Sequence, residues 1–134
     1  MSEKVCLVVD DEASVRQFIT TVLRSDGFQT LEAENGVQAL ELLRKLDGAV
    51  DLLVSDIQMP NMDGITLACS VRAQFPAIPL ILVSGYADAE RNSLSSGVHF
   101  VQKPFVKATL LDAVKNVVSK RSERSGGTQA ATGT

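Results

Sequence analysis

At 134 residues the chain has room for one domain with a sizeable core and needs no covalent staples. An apolar fraction of 45% against 22% charged residues marks a globular chain and excludes a disordered one. The formal net charge of −3 argues against a dedicated nucleic-acid binder, which must neutralise many phosphates. Cys6 lies in an apolar run and Cys69 in a helical stretch, so both read as reduced, core-type thiols and not as a disulfide framework or zinc site. The opening Met1-Ser2-Glu3-Lys4 lacks the apolar stretch of a signal peptide, and no run reaches membrane-spanning length. A cytoplasmic protein without membrane contact is expected.

Along the chain, short apolar runs alternate with helical periodicity, the pattern of βα units around a parallel sheet covered on both faces. The first run, Val5-Cys6-Leu7-Val8-Val9, ends in Asp10-Asp11-Glu12. A helix follows in which Val15, Phe18, Ile19, Val22 and Leu23 form the buried stripe, leaving Arg16, Gln17, Thr20 and Arg24 outward, and Gly27 stops it. After a strand at Gln29–Ala33, Asn35 caps a second helix whose stripe is Val37, Leu40, Leu43 and Leu46. Leu52-Leu53-Val54-Ser55 then runs into Asp56 and the turn-rich Met59-Pro60-Asn61-Met62-Asp63-Gly64, which opens a helix that must finish before Phe75-Pro76. Leu80-Ile81-Leu82-Val83 leads to Ser84-Gly85. Residues 87–96 are polar with little apolar periodicity, a helix held by few anchors. Phe100-Val101-Gln102 leads to Lys103-Pro104, and a last helix from near Lys107 buries Leu110, Leu111, Val114, Val117 and Val118. The domain built from these elements spans 1–120; 121–134, without apolar anchors, is expected to be a disordered tail or the start of a linker.

Four strand ends thus deliver Asp10, Asp11, Asp56, Ser84 and Lys103, which a parallel sheet would bring to one rim. Carboxylates brought together raise one another's proton affinity, and a divalent cation would neutralise them. Taken singly, each residue has a plainer reading: a helix cap for Asp10, Asp56 or Ser84, and a solvated surface lysine for Lys103. The combination is what points to chemistry, because independent caps need not fall at strand ends facing one crevice. An aspartate there can attack phosphorus and form an acyl phosphate. His99, the only histidine, stands at a strand entry and reads as solvated, so the chain is not itself expected to be the phosphate donor.

The ordered set Asp10-Asp11-Glu12, Ser55-Asp56-Ile57-Gln58-Met59-Pro60 with Asp63-Gly64, Val83-Ser84-Gly85 and Lys103-Pro104-Phe105 resembles the receiver domain of two-component response regulators over roughly residues 4–120, similar to single-domain chemotaxis-type regulators. The resemblance implies a flavodoxin-like doubly wound five-stranded sheet of order 2-1-3-4-5 with five helices, and a phosphorylation-controlled switch. It implies that Asp56 accepts a phosphoryl group from a phosphohistidine of a sensor histidine kinase or histidine phosphotransfer protein. Mg2+ would be held by Asp11 directly, by Asp10 through water, by Asp56 and by the Gln58 backbone carbonyl. Lys103 and Ser84 would hold the phosphoryl group, Ser84 and Phe100 would act as the switch pair, and Gln58 and Tyr86 would tune hydrolysis. Pro104 would be cis. Phe100 lacks the hydroxyl that many relatives carry, and a core phenylalanine is its plainer reading. The signal would leave through 87–96, the strand at 100–102 and the last helix to a downstream partner or output domain, and a phosphorylation-dependent dimer is one form this could take. Aspartate-nucleophile phosphatases and dehalogenases on related sheets are similar, but they place a second acid two residues after the nucleophile, where this chain has Gln58. A flavin-binding module would need a phosphate-cradling loop where Asp10-Asp11-Glu12 repels phosphate.

Overall fold

The central strands bury both of their faces, and their alternate side chains divide the core in two. The computed structural model describes residues 4–59, 62–84, 98–103 and 105–118. These form β1 (Val5–Val9), α1 (Ala13–Ser25), β2 (Gln29–Ala33), α2 (Gly36–Lys45), β3 (Leu52–Asp56), α3 (Gly64–Gln74), β4 (Leu80–Ser84), β5 (Val98–Gln102) and a helix over 107–118, here α4. Every strand pairing is parallel and the order is β2-β1-β3-β4-β5. The expected five-stranded fold is therefore the observed one. Four helices lie among the described residues; the one expected over 87–96 falls outside them, as does the tail at 121–134.

Cys6, Val8, Leu52, Val54, Ile81, Val83 and Val101 face Ile19, Val22 and Leu23 of α1 and Leu110, Ala113, Val114 and Val117 of α4. Their neighbours Leu7, Val9, Leu53, Leu80 and Leu82 face Ala39, Leu40 and Leu43 of α2 and Leu67, Ala68 and Val71 of α3. A period of two in each strand meets a period near 3.6 in each helix, and the two layers of helix follow. Truncating a fully buried residue such as Leu53 or Leu82 to alanine would cost about 2–5 kcal/mol, a large fraction of a domain's stability.

Three helix starts and stops follow their local chemistry. The Asn35 side chain accepts from Gln38 N and the Asp63 side chain from Thr66 N, each satisfying an orphan amide of the first turn. Past the end of α1, Gly27 takes φ of +94°, a conformation that only glycine adopts without strain.

The helix stripes are narrower than the periodicity predicts. Phe18 is 42% exposed and Val37 44%, with Leu46 at 36%, whereas Thr20, expected outward, is buried. Thr20 tolerates this because its hydroxyl donates to the Gln17 carbonyl one turn earlier. At the end of the chain's described part, Leu110, Val114 and Val117 are buried as expected, while Leu111 and Val118 pack only partly.

Candidate functional site

The sheet register aligns strand C-termini. Val9 pairs with Ser55, Asp56 with Val83, and Ser84 with Gln102. Because the chain leaves β1 for β2 on one side while β3 lies on the other, a crevice opens where the order reverses. Asp10 and Asp56 stand at its two lips.

Asp10 is fully buried, yet its polar atoms are nearly all committed. Its N–H donates to the Ala33 carbonyl at 3.1 Å, and its Oδ1 accepts from Glu12 N at 2.9 Å. That second bond is an Asx turn, which swings the chain out of β1 and into α1. Oδ2 has no partner among the described residues although it is buried. Burial pushes the Asp10 carboxyl up to about 6, against the pull of the Glu12 amide; the Asp56 and Asp11 charges push the same way and Lys103 opposes them.

Asp56 closes β3 and is 6% exposed. Its carboxylate Oδ2 accepts from Lys103 Nζ at 3.2 Å, and Gln58 N approaches Oδ1 at 3.4 Å. The loop that follows is held at both ends: Ile57 N donates to the Val83 carbonyl at 2.9 Å, and Gly64 N to the Ile57 carbonyl at 2.7 Å. Gly64 leaves the backbone room to pass here, since a Cβ would stand 2.7 Å from Ile57 Cα and press on the Asp56 carbonyl.

Lys103 reaches Asp56 across the end of β4. Its own N–H donates to the Ser84 carbonyl at 2.7 Å, which fixes where the side chain sets out. Ser84, the last residue of β4, is buried beside it. Asp11 is exposed, and one oxygen from each of Asp10, Asp11 and Asp56 can be drawn from a group lying within 4.8 Å of one another.

The structure thus brings together Asp10, Asp11, Asp56, Gln58 and Lys103, with Ser84 adjoining. Phe100 is half-buried and packs against the α2/α3 layer. His99 lies within β5, opposite Ile81, and is half-buried rather than at a solvated strand entry. Gly85, Tyr86 and Pro104 lie outside the described residues. The sequence reading missed Arg16. Placed outward by the helical period, it instead folds back on the rim, donating from Nη1 to the Asp10 carbonyl at 2.7 Å and from Nε to Glu32 Oε1 at 2.8 Å. The signal was present in a cation one turn into α1, where the helix dipole disfavours positive charge.

The donor set fits a divalent cation. All three acids offer hard oxygen ligands, the buried Asp10 Oδ2 has no partner among the described residues, and three carboxylates outnumber the one ammonium beside them. Among the described residues no helix is long and apolar enough to cross a membrane.

Comparison with known proteins agrees in both sequence and fold. The sequence model described as response regulator receiver domain matches residues 6–115. The sensor kinase CckA of Brucella abortus is 42% identical over 118 residues, covering 86% of this chain but only 12% of that protein, so this chain spans a small part of the relative's length. The sporulation initiation phosphotransferase F of Bacillus subtilis is 33% identical over 126 residues, covering 91% of this chain and 98% of that one. Among solved structures, a response regulator receiver protein from Sinorhizobium medicae superposes with a TM-score of 0.82 at 30% identity, covering 90% of this chain and 98% of that chain.

Proposed function

Given that the chain belongs to the response regulator receiver-domain family, we propose that it takes a phosphoryl group from a phosphohistidine onto the Asp56 carboxylate in a magnesium-dependent reaction and signals by switching conformation. The observation that carries this reading is the convergence of Lys103 and three acids, from three strand ends, on one carboxylate oxygen set. In the transfer, a carboxylate oxygen of Asp56 attacks phosphorus, the O–P bond forms as the N–P bond breaks, and the electron pair leaves on the donor imidazole. Little covalent work falls to the protein; positioning and charge compensation do the rest.

Each side chain then has a task. Asp56 is the nucleophile, held with its carbonyl under Gly64 and its carboxylate toward the opening. Lys103 rests on Asp56 Oδ2 and transfers its hydrogen bonds to the incoming phosphoryl oxygens. Ser84 supplies a hydroxyl at the end of the neighbouring strand, and Phe100 follows it as the second part of the switch. Gln58 and Tyr86 tune hydrolysis, which the domain catalyses on its own acyl phosphate. Asp11, Asp56 and the Gln58 carbonyl would hold the cation, with Asp10 reaching it through water from its unpartnered Oδ2. When bound, Mg2+ supplies the positive charge that lets one anion approach another.

A kinase or a histidine phosphotransfer protein is the donor in this reading, supported by the kinase and phosphotransferase relatives. It docks beside Phe18 and Phe105, whose rings meet at 5.7 Å on the edge of a 310 Å³ groove lined also by Ser14, Val15 and Lys103. The receiver occupies 1–120 of a cytoplasmic protein, and 121–134 is a tail or the start of a linker toward an output. Intact-mass analysis after exposure to acetyl phosphate tests the core of the reading. A gain of one phosphoryl group is expected with Mg2+, lost with chelator and lost in Asp56→Asn; equal incorporation in that variant would end it.

A further inference from the structure

Arg16 occupies a position that elementary electrostatics disfavours. It is the fourth residue of α1, where the helix dipole opposes a cation, and no acidic side chain stands in that first turn to compensate. Its N–H closes the first helical turn on the Glu12 carbonyl at 3.0 Å. Side chains of a helix lean toward its N-terminus, so the guanidinium is delivered back over the end of β1 and not out into water. It is 14% exposed there, and both of its bonds are short.

What it grips is the peptide unit joining Asp10 to Asp11, through the Asp10 carbonyl oxygen at 2.7 Å. The plane of that peptide sets the direction in which Asp11 leaves the strand. The other end of the guanidinium is pinned at 2.8 Å by Glu32, on β2 beside Ala33, whose carbonyl accepts the Asp10 N–H. Asp10 is thereby tied to the end of β2 twice: directly through its N–H, and through Arg16 and Glu32 by its carbonyl. A planar fork can make both bonds at once; an ammonium on a flexible stem cannot hold both in this geometry.

We propose that Arg16, braced by Glu32, is a positioning residue that fixes the Asp10–Asp11 peptide and so sets the affinity of the acidic cluster for its divalent cation. This rests on the reading of that cluster as a cation site. Glu32 has a second effect, since it offsets the charge of a guanidinium that would otherwise repel the cation.

The sign of one measurement separates this from simpler roles. If Arg16 acted on the site only through charge, removing it would tighten Mg2+ binding, because a nearby positive charge disappears. If it merely stabilised the fold, binding at a temperature where the protein stays folded would not change. A strut predicts weaker binding. Mg2+ alone, titrated calorimetrically into wild type, Arg16→Met, Arg16→Lys and Glu32→Gln, with melting curves taken in parallel, decides among them. Both Arg16 variants are expected to bind about tenfold or more weakly, in the range that outer contacts of metal ligands typically command. Arg16→Lys keeps the charge and should fail to restore affinity, and it carries the test should Arg16→Met not fold. Glu32→Gln should weaken binding less, as one brace of the fork survives. Unchanged or tighter binding in the Arg16 variants overturns the strut while leaving the cation site intact. Absence of Mg2+ binding in wild type itself overturns the cation reading and the strut with it.

Discussion

The Lys103 ammonium lies 3.2 Å from Asp56 Oδ2, reaching over the end of β4 to pair with a carboxylate two strands away. The pair is largely shielded from water, so it outweighs a surface ion pair in its effect on local geometry. It also means that the resting lysine is already committed to the residue proposed as nucleophile. Any phosphoryl group arriving on Asp56 must take over that ammonium, and the exchange of partners gives the two states different contacts. A ligand shifts an equilibrium only by such a difference.

From this we expect Lys103→Ala and Ser84→Ala to retain some capacity to accept phosphate while losing much of the conformational response. Amide spectra recorded with and without a phosphoryl mimic would show small, local shifts in both variants. A full wild-type pattern of shifts in either one would contradict the role assigned to it.

Asp10 gives the domain a pH dependence whose direction is opposite to the usual one for a carboxylate. Its folded value, about 6, lies above the ordinary 3.8, so the folded state binds the proton more tightly than the unfolded state does. Its contribution is therefore fully present below about pH 4 and is lost as pH rises through about 6. Without metal, this one group should cost at most about 3 kcal/mol at neutral pH relative to acid, and less to the extent that the site relaxes. Denaturant melts at pH 5 and 7.5 should show the loss, Asp10→Asn should remove it, and saturating Mg2+ should reverse it by favouring the ionised form. A wild-type protein whose metal-free stability difference between the two pH values equals that of Asp10→Asn would refute the assignment.

Much of this is legible in the sequence, and the rest is not for identifiable reasons. Strand ends are written directly in the sequence, because a parallel strand buried on both faces is a continuous apolar run that stops where the rim begins, as at Val9-Asp10 and Ser55-Asp56. Helix faces are written less sharply. Periodicity gives an arc, but where that arc overhangs the sheet depends on the helix's placement, so Phe18 and Val37 emerged exposed and Thr20 went inside. Arg16 escaped because it reaches backward along its own helix to a carbonyl: a cation in the first turn signals that something compensates it, but residue type does not name a backbone partner. The orphaned Asp10 Oδ2 likewise depends on which oxygen the Glu12 amide claims.

Gly64 offers a test of how tightly the loop after Asp56 is built. A methyl group there would press on the backbone of Asp56 and Ile57, neither of which can swing away as a flexible side-chain tip could. Gly64→Ala should therefore cost about 1–3 kcal/mol, the usual range for overpacking a filled site. Because the displaced atoms belong to the residue proposed as phosphoacceptor, phosphorylation by acetyl phosphate should slow even at temperatures where the variant is folded. A stable variant with the wild-type rate would show that the loop can give way without moving the carboxylate.

The last prediction concerns how the donor is recognised. Phe18 and Phe105 present a tilted aromatic pair, with Val106 65% exposed just beyond, beside the groove that contains Lys103. Large apolar groups left at the surface next to the carboxylate proposed as phosphoacceptor suit a protein partner, since a small phosphodonor needs no such platform. Phe18 is 42% exposed and its outer part is not needed for the core, so Phe18→Ala should cost little stability. Transfer from a phosphorylated histidine kinase or phosphotransfer protein should fall at least tenfold in that variant, while the rate with acetyl phosphate stays within about twofold of wild type, as expected for a hot-spot contact truncated away from the reacting atoms. Parallel time courses with the two donors make the comparison internal to one preparation. Equal loss with both donors would place Phe18 in the site's own architecture, and no loss with either would move the docking surface elsewhere on the domain.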